Sequence, residues 1–418
     1  MKYCIYILIF FALSMNIFSQ KILIPMDLAQ TDHLKPYGLM YWVLKNGGTA
    51  DWLLNYRGGS FLLDYSDNVA TECRIRGIFF EQISESSTQS ILATVNSENS
   101  NMESVKLEKA PKIAVYVPPG SRPWDDAVRL ALEYAEVDYA MIWDEDVMTD
   151  KLKEYDWLHL HHEDFTGQNS KFWVAYRNAP WYIQQVALNE SMAKKLGFPD
   201  VCELKKGVAK KIREYVANGG FLFAMCTATD SYDIALSVEH VDICDVMYDG
   251  TPYDHDANNK LHFDETFAFE NFKLILDPTV VEFSDIDIGM ENVNNPDADY
   301  FSLFNFSAKY DPVPTMLTQD HVNMIKGFMG QTTAFKKSLI KPSVTILAMK
   351  EGTEEVKYIH GNVGRGTYTW LGGHDPEDYT HRIGDPPTDL NLFKNSPGYR
   401  LILNNILFPA AKKKKQKT

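Results

Sequence analysis

The chain has 418 residues and a formal net charge of −15. A chain of this length can bury a large core and usually forms two domains or one elaborated α/β unit. An acidic chain repels nucleic-acid phosphate, so we expect no nucleic-acid partner.

Residues 1–19 resemble a signal peptide, with Lys2 at the start, an apolar run over 4–18 and small Ser19 at its end. We therefore predict cleavage, a periplasmic or secreted protein, and no membrane span, because no later segment has 18 unbroken apolar residues. The basic tail at 411–418 carries five lysines and is expected to be solvated.

Four cysteines remain after cleavage: Cys73, Cys202, Cys226 and Cys244. An even number in an oxidising compartment could pair. A disulfide at Cys226 would exclude that residue as a nucleophile, so its redox state decides part of the functional interpretation.

The first 110 residues predict a small α/β unit followed by a linker. Apolar patterning indicates strands at 21–25 and 51–56 with a helix at 34–44 between them, a spacing typical of a βαβ unit. Residues 81–109 are polar and rich in Ser, Asn and Glu, which favours a linker.

The second part, 111–410, continues the alternation of strands and helices. Strands are predicted at 112–117, 139–143, 155–161, 221–225, 343–349, 356–360 and 366–371, and helices at 124–137, 203–217 and 399–408. Residues 238–314 are irregular and predict an insertion. The fold class is therefore α/β, with a flavodoxin-like, mostly parallel sheet, helices on both faces and a smaller α/β unit before it.

Cys226 falls at the carboxyl end of a buried strand that follows Gly219-Gly220. A helix start after such a strand favours thiolate, the reactive form, whereas the simplest alternative is a buried core cysteine. Two other strand ends carry polar groups, and their predicted pocket-lining residues are His161, His162, Glu163 and Asp375. If these strands are neighbours, a thiol, imidazoles and carboxylates converge at one sheet edge.

A metal site is an alternative interpretation of the histidine-rich segment. His159, His161 and Glu163 are the candidate ligands, with further candidates at 240–245 and 255–256. On a strand His159 and His161 share one face and His162 points away, so at most two of the three could bind one ion. No known zinc spacing is present, and we predict hydrogen-bonded histidines and no metal or other cofactor.

Two segments resemble the class I glutamine amidotransferase-like superfamily, and its ThuA-like (trehalose-utilisation) branch in particular. They are Tyr215-Val216-Ala217-Asn218-Gly219-Gly220 before the Cys226 strand, and the late Gly372-Gly373-His374-Asp375-Pro376-Glu377. The resemblance covers about residues 111–410 and implies Cys226 as nucleophile, His374 as base and Glu377 as the acid that orients it.

We therefore predict a hydrolase or amidase-like enzyme acting on a small amide-, ester- or carbohydrate-derived substrate. The alternatives are a non-catalytic module that binds a sugar or peptide, and a metal-dependent hydrolase. A glutamine-hydrolysing asparagine synthetase is not expected, because the chain has no Ser-Gly-Gly-x-Asp-Ser loop and no mature N-terminal cysteine.

Overall fold

The computed structural model describes residues 20–120, 126–289, 296–379 and 385–411. The predicted signal peptide and the lysines of the basic tail lie outside the described residues. Two sheets organise the described chain, one of five strands and one of eleven. Within these ranges no helix is both long and apolar enough to span a bilayer.

The strands are β1 (Lys21–Ile24), β2 (Ala50–Leu54), β3 (Ser60–Asp64), β4 (Glu81–Ile83), β5 (Glu103–Leu107), β6 (Ile113–Tyr116), β7 (Ala140–Ile142), β8 (Trp157–Leu160), β9 (Phe221–Met225), β10 (Asp287–Ile288), β11 (Tyr300–Leu303), β12 (Met324–Lys326), β13 (Ala334–Lys336), β14 (Thr345–Met349), β15 (Glu355–Val363) and β16 (Gly366–Leu371).

The helices are α1 (Lys35–Lys45), α2 (Asp67–Ile75), α3 (Glu85–Asn96), α4 (Ala127–Ala135), α5 (Asp144–Met148), α6 (Trp173–Tyr176), α7 (Pro180–Leu196), α8 (Val201–Ala217), α9 (Thr227–Ser237), α10 (Val246–Asp249), α11 (Pro312–Leu317) and α12 (Pro397–Leu407).

The first sheet has the order β4-β1-β3-β2-β5, and every recorded pair in it is antiparallel. Because β1 and β2 both pair antiparallel with β3, they run in the same direction with β3 between them. The predicted strand, helix and strand are therefore present as a split βαβ unit.

The predicted linker at 81–109 is wrong, because this segment forms β4, α3 and β5 of the first sheet. Its polar residues belong to a helix with one buried stripe. Ser84 caps α3 by accepting a hydrogen bond from the Ser87 amide. Thr88 and Val95, seven residues apart, are buried on the same face of α3.

The second sheet has a parallel half and an antiparallel half. Its main order is β12-β11-β14-β15-β16-β9-β8-β6-β7, and the strands from β16 to β7 pair in parallel. The expectation of a mostly parallel sheet is wrong for the other strands, which pair antiparallel. Gly364 and Arg365 alone connect β15 to β16, and so short a connection requires an antiparallel pair.

Helices pack on both faces of the parallel half. Phe221, Phe223 and Met225 of β9 join a core with α4 and α12, while Leu222 and Ala224 face a core with α8 and α9. Helix α1 contacts α4 and α12, so the first of these cores also includes the small sheet. The small unit and the large sheet are therefore held together by one continuous apolar core.

The described part of the predicted insertion at 238–314 contains short elements, among them α10, β10, β11 and the start of α11. Cys244, near its start, forms a disulfide with Cys202 of α8. The buried Lys171 donates from Nζ to the carbonyl oxygens of Ile275 and Glu282, at 2.6 and 2.9 Å. These links fix the described part of the insertion beside the carboxyl edge of the parallel strands.

Candidate functional site

Cys226 lies at the turn between β9 and α9, and its backbone is strained. Its φ of 50° and ψ of −139° lie outside the regions that residues with a side chain normally adopt. Such a conformation costs about 1–3 kcal/mol and persists only where the surrounding structure imposes it. A sharp turn from strand to helix presents a side chain above the sheet edge, as in nucleophile elbows.

The strands on either side of β9 end at the same level as β9. Leu160 of β8 pairs with Ala224, and Leu371 of β16 pairs with Met225. The residues that follow these strands, 161–164 and 372–377, are therefore brought to the edge where Cys226 lies.

A loop covers the thiol. We call residues 327–333, which connect β12 with β13, the cover segment. Only 2% of Cys226 is exposed. Burial raises the pKa of its thiol, and hydrogen bonds from the backbone amides of Thr332, Gln331 and Thr227 oppose that rise. A reagent or substrate can therefore reach Sγ only when the cover segment moves.

The cover segment is hydrogen-bonded to the loop that carries His374. The His374 amide donates to the carbonyl oxygen of Met329 at 2.7 Å. A Cβ atom on Gly330 would lie 3.0 Å from both the Sγ of Cys226 and the amide nitrogen of His374. Gly330 therefore lies between the thiol and the His374 backbone, where a larger residue would clash.

Three imidazoles gather at the same edge, and we call His161, His162 and His374 the histidine cluster. The ring centroid of His374 lies 4.3 Å from that of His161 and 5.6 Å from that of His162. One ring nitrogen from each residue lies within 4.8 Å of the other two. His161 and His374 are buried and His162 is half-buried.

The expectation that His162 points away from its neighbours is wrong. Strand β8 ends at Leu160, so the alternation of side chains along a strand does not extend to residues 161 and 162. The ring centroids of His161 and His162 are 5.2 Å apart.

Asp126 lies behind the cluster at the start of α4, where it accepts hydrogen bonds from the amides of Val128 and Arg129. Its Oδ1 is 3.4 Å from Nε2 of His159 and 3.6 Å from Nδ1 of His161. Burial acts to raise the pKa of Asp126, but His159, the Arg129 amide and His162 together outweigh burial, and the pKa is lowered. Asp126 thus places a buried carboxylate next to two imidazoles.

Glu163 is buried beside the cluster. Its Oε2 accepts a hydrogen bond from the His161 amide at 2.8 Å, and the His161 carbonyl oxygen accepts one from the Ala228 amide at the start of α9. Burial raises the pKa of Glu163, and the nearby His162 acts against that rise. These bonds connect the end of β8 to the helix that begins after Cys226.

The carboxylates after His374 face helix α12. Asp375 accepts hydrogen bonds from the Tyr399 and Thr388 hydroxyls, at 2.9 and 2.8 Å. Burial raises the pKa of Glu377, and a hydrogen bond with Ser396 lowers it. These hydrogen bonds connect the carboxylates of Asp375 and Glu377 to the start of α12 and to Thr388.

Of the other metal candidates, His159 lies with His161 and Asp126, and one donor atom of each of these three lies within 4.8 Å of the other two. Cys244 is in the disulfide with Cys202, and 82% of the His240 side chain is exposed. His159 contacts Asp126 and approaches the Phe223 carbonyl oxygen at 3.1 Å. Of the described histidines, those of the histidine cluster are the ones that the fold brings together near Cys226.

Sequence reasoning missed two features of this edge, Asp126 and the cover segment. Asp126 could have been predicted, because it is an acidic residue at the start of the helix that follows β6. Strand β6 pairs with β8, so the residues that follow these two strands lie close together. Nothing local in Gly327-Phe328-Met329-Gly330 indicates what it covers, because Cys226 is about a hundred residues away in the chain.

A cavity of about 770 Å³ opens at the opposite end of the parallel strands. Asp156, Gly220 and Arg365 contribute to its lining. These residues precede β8, β9 and β16, whereas Cys226 and His374 follow them. The cavity is therefore separate from the sheet edge that holds Cys226 and the histidine cluster.

No family model and no curated protein matches this sequence. Solved structures with some likeness include two cytoplasmic proteins of Salmonella typhimurium, STM3548 and STM1381. They are 12% and 13% identical, with TM-scores of 0.35 and 0.33, over 72% of this chain and 100% of theirs. The β-galactosidase of Bacillus circulans sp. alkalophilus is 11% identical with a TM-score of 0.28, over 70% of this chain and 32% of that one. Scores this low support no conclusion about fold or function.

Proposed function

We propose that this chain is an exported hydrolase of the amidase or esterase type, with Cys226 as nucleophile and His374 as base. Its substrate would be a small amide, ester or carbohydrate derivative. The observation that carries the proposal is the strained turn at Cys226, next to the loop of His374. Strain of this kind is concentrated at functional sites.

The reaction would follow the usual course of thiol hydrolases. His374 takes the proton of the Cys226 thiol as sulfur attacks the carbonyl carbon, and the protonated imidazole then donates that proton to the departing amine or alcohol. Water hydrolyses the resulting thioester. Backbone amides of the α9 start and the cover segment, which donate hydrogen bonds to the Cys226 sulfur, would stabilise the negative charge that develops during attack.

The order of the parallel strands, β7-β6-β8-β9-β16, supports a flavodoxin-like parallel half. In that arrangement ligands bind outside the carboxyl ends of the strands, where the strand order reverses. The reversal here lies between β6 and β8, beside Asp126 and His161. This placement supports a ligand site at the edge that holds Cys226.

The disulfide between Cys202 and Cys244 supports export, because structural disulfides persist mainly in oxidising compartments. The same pairing leaves Cys226 and Cys73 as free thiols. Cys226 is thus available for chemistry in an exported protein.

The test measures hydrolysis of p-nitrophenyl acetate and of small amino-acid p-nitroanilides by matched variants. We expect Cys226→Ala and His374→Gln to lose at least about a thousandfold in turnover, as removal of a nucleophile or its base does. Cys73→Ala, which removes the other free thiol, should retain activity. Wild-type turnover in folded Cys226→Ala would overturn the proposal.

A non-catalytic module that binds a sugar or peptide is the second candidate. The observation that favours it is the nearly complete cover over the Cys226 thiol. Thermal-shift screening of sugars and small peptides separates the two. A ligand that stabilises wild type and Cys226→Ala equally, with no turnover of the ester and amide panel, would favour the binding module.

A further inference from the structure

The histidine cluster combines three nitrogen donors, two of them on buried residues and one on the half-buried His162. One nitrogen from each of His161, His162 and His374 lies within 4.8 Å of the other two. Nitrogens that share a tetrahedral zinc ion at 2.0–2.1 Å are about 3.3 Å apart. Small rotations of the imidazole rings would therefore bring the three donors to metal-binding distance.

The contact behind His161 matches the support that metal-binding histidines require. Asp126 Oδ1 lies 3.6 Å from Nδ1 of His161, so a small ring rotation would let Nδ1 donate a hydrogen bond to this carboxylate. Metal-bound histidines almost always donate their second nitrogen to a carboxylate or carbonyl, which fixes the ring. The buried Asp126 thus supplies the outer partner of a metal ligand.

The local charges also favour a divalent cation. Three protonated imidazoles in one buried cluster would repel each other, whereas neutral imidazoles can share a metal ion. The carboxylates of Asp126 and Glu163 lie beside the cluster and would balance the ion's charge. Imidazole donors suit zinc and other late transition metals better than calcium or magnesium.

We propose that His161, His162 and His374 bind one zinc-class divalent transition metal ion, with Asp126 orienting His161. Metal binding does not depend on the proposed hydrolase activity. The effect of the metal on catalysis does rest on the proposed hydrolase activity, because a metal-bound His374 is no longer available as the base for Cys226. Zinc would then suppress the thiol chemistry.

Binding is tested on metal-stripped full-length protein by zinc titration calorimetry and by metal content after dialysis. We expect about one zinc ion per chain. Replacing the half-buried ligand, His162→Ala, should weaken binding more than about 100-fold, and Asp126→Asn should weaken it about 10- to 100-fold. His240→Ala removes an exposed histidine outside the cluster and should leave affinity unchanged.

Two results would overturn the metal site. One is that wild-type protein binds no stoichiometric zinc. The other is that the His162→Ala variant, shown by circular dichroism to be folded, binds zinc as tightly as wild type. Cys226→Ala should still bind zinc, so a failed hydrolase proposal and a failed metal site give different results. Zinc should also slow alkylation of Cys226 in wild type but not in His162→Ala, and equal slowing in both would contradict the shared role of His374.

Discussion

At the scale of single residues, the backbone of Cys226 and its sulfur make opposite contributions to stability. The positive φ at this residue destabilises the folded state, while the buried side chain packs under the cover segment. A fold that retains such a residue gives up stability at this position, which the proposed role of Cys226 as nucleophile would explain.

Replacing Cys226 with Gly or Ala separates backbone strain from packing. Neither residue has a sulfur, but Gly adopts a positive φ without strain and Ala does not. We expect Cys226→Gly to be more stable than Cys226→Ala by about 1 kcal/mol, the reverse of their usual order in helices and strands. Urea unfolding measures the difference, and a more stable Ala variant would show that the turn is unstrained.

Asp230 makes stability depend on pH. Burial raises its pKa to about 7 from a usual value of 3.8, and its Oδ1 accepts a hydrogen bond from the Thr332 hydroxyl of the cover segment. Asp164 and Asp287 lie close enough to interact electrostatically with it. Between these two pKa values the folded state holds a proton that the unfolded state has lost, so stability falls as pH rises.

The variant Asp230→Asn isolates this effect because asparagine does not titrate. The unfolding free energy of wild type minus that of the variant should fall by on the order of 2 kcal/mol between pH 5 and pH 8. Urea unfolding at several pH values measures it. A difference that stays constant with pH would mean that Asp230 keeps its ordinary pKa.

At the scale of elements, the cover segment controls access to the thiol, and Gly330 determines how closely it packs. A Cβ at this position would meet Sγ of Cys226 and the backbone of His374 at 3.0 Å. Backbone atoms cannot rotate away, so the cover segment itself would have to shift.

We expect Gly330→Ala to destabilise the protein by about 1–3 kcal/mol, as overpacking does. The same change should speed alkylation of Cys226, because a displaced cover segment exposes the sulfur. Gly207→Ala in helix α8 is the control, since its new methyl would meet the movable Phe198 side chain and Ala favours helices. Unchanged alkylation in a destabilised Gly330→Ala would show that the cover segment does not limit access.

Local sequence predicted the central strands β6, β8 and β9 because each is a short buried run between turn residues. The sequence also contains the two-residue turn Gly364-Arg365. Because so short a turn can join only antiparallel strands, the pairing of β15 with β16 could have been predicted. The polar composition of residues 81–109 led to the wrong prediction of a linker. Helix α3 in this segment buries only one face, and its exposed residues are polar. Pairing across the first sheet depends on contacts between distant residues, which a local pattern does not specify.

At the scale of the whole molecule, Arg400 joins the small unit to the large sheet. This fully buried residue of α12 donates hydrogen bonds to the carbonyl oxygens of Met26 and Gly58 and to the Tyr37 hydroxyl, all in the first unit. A buried guanidinium with several acceptors is stabilising only while all of them remain in place.

We therefore expect Arg400→Met to lower the unfolding free energy by about 3–5 kcal/mol, because it leaves buried carbonyl groups without their donor. Arg177→Met, at the exposed end of α6, should change it by less than about 0.5 kcal/mol. Calorimetry measures both. Equal stability of the two variants would mean that the units do not depend on Arg400.

Cys73 and Cys226 are the free thiols of the described residues, and comparing them tests the proposed nucleophile most directly. Both are buried, but burial raises the pKa of Cys73 to about 12, whereas three backbone amides oppose the rise at Cys226. Iodoacetamide labelling of the native protein, followed residue by residue by mass spectrometry, compares them in one sample. A nucleophilic Cys226 predicts labelling at least about tenfold faster than Cys73 and faster than global unfolding. Labelling of both thiols at one common rate, equal to that of unfolding, would contradict a reactive site at Cys226.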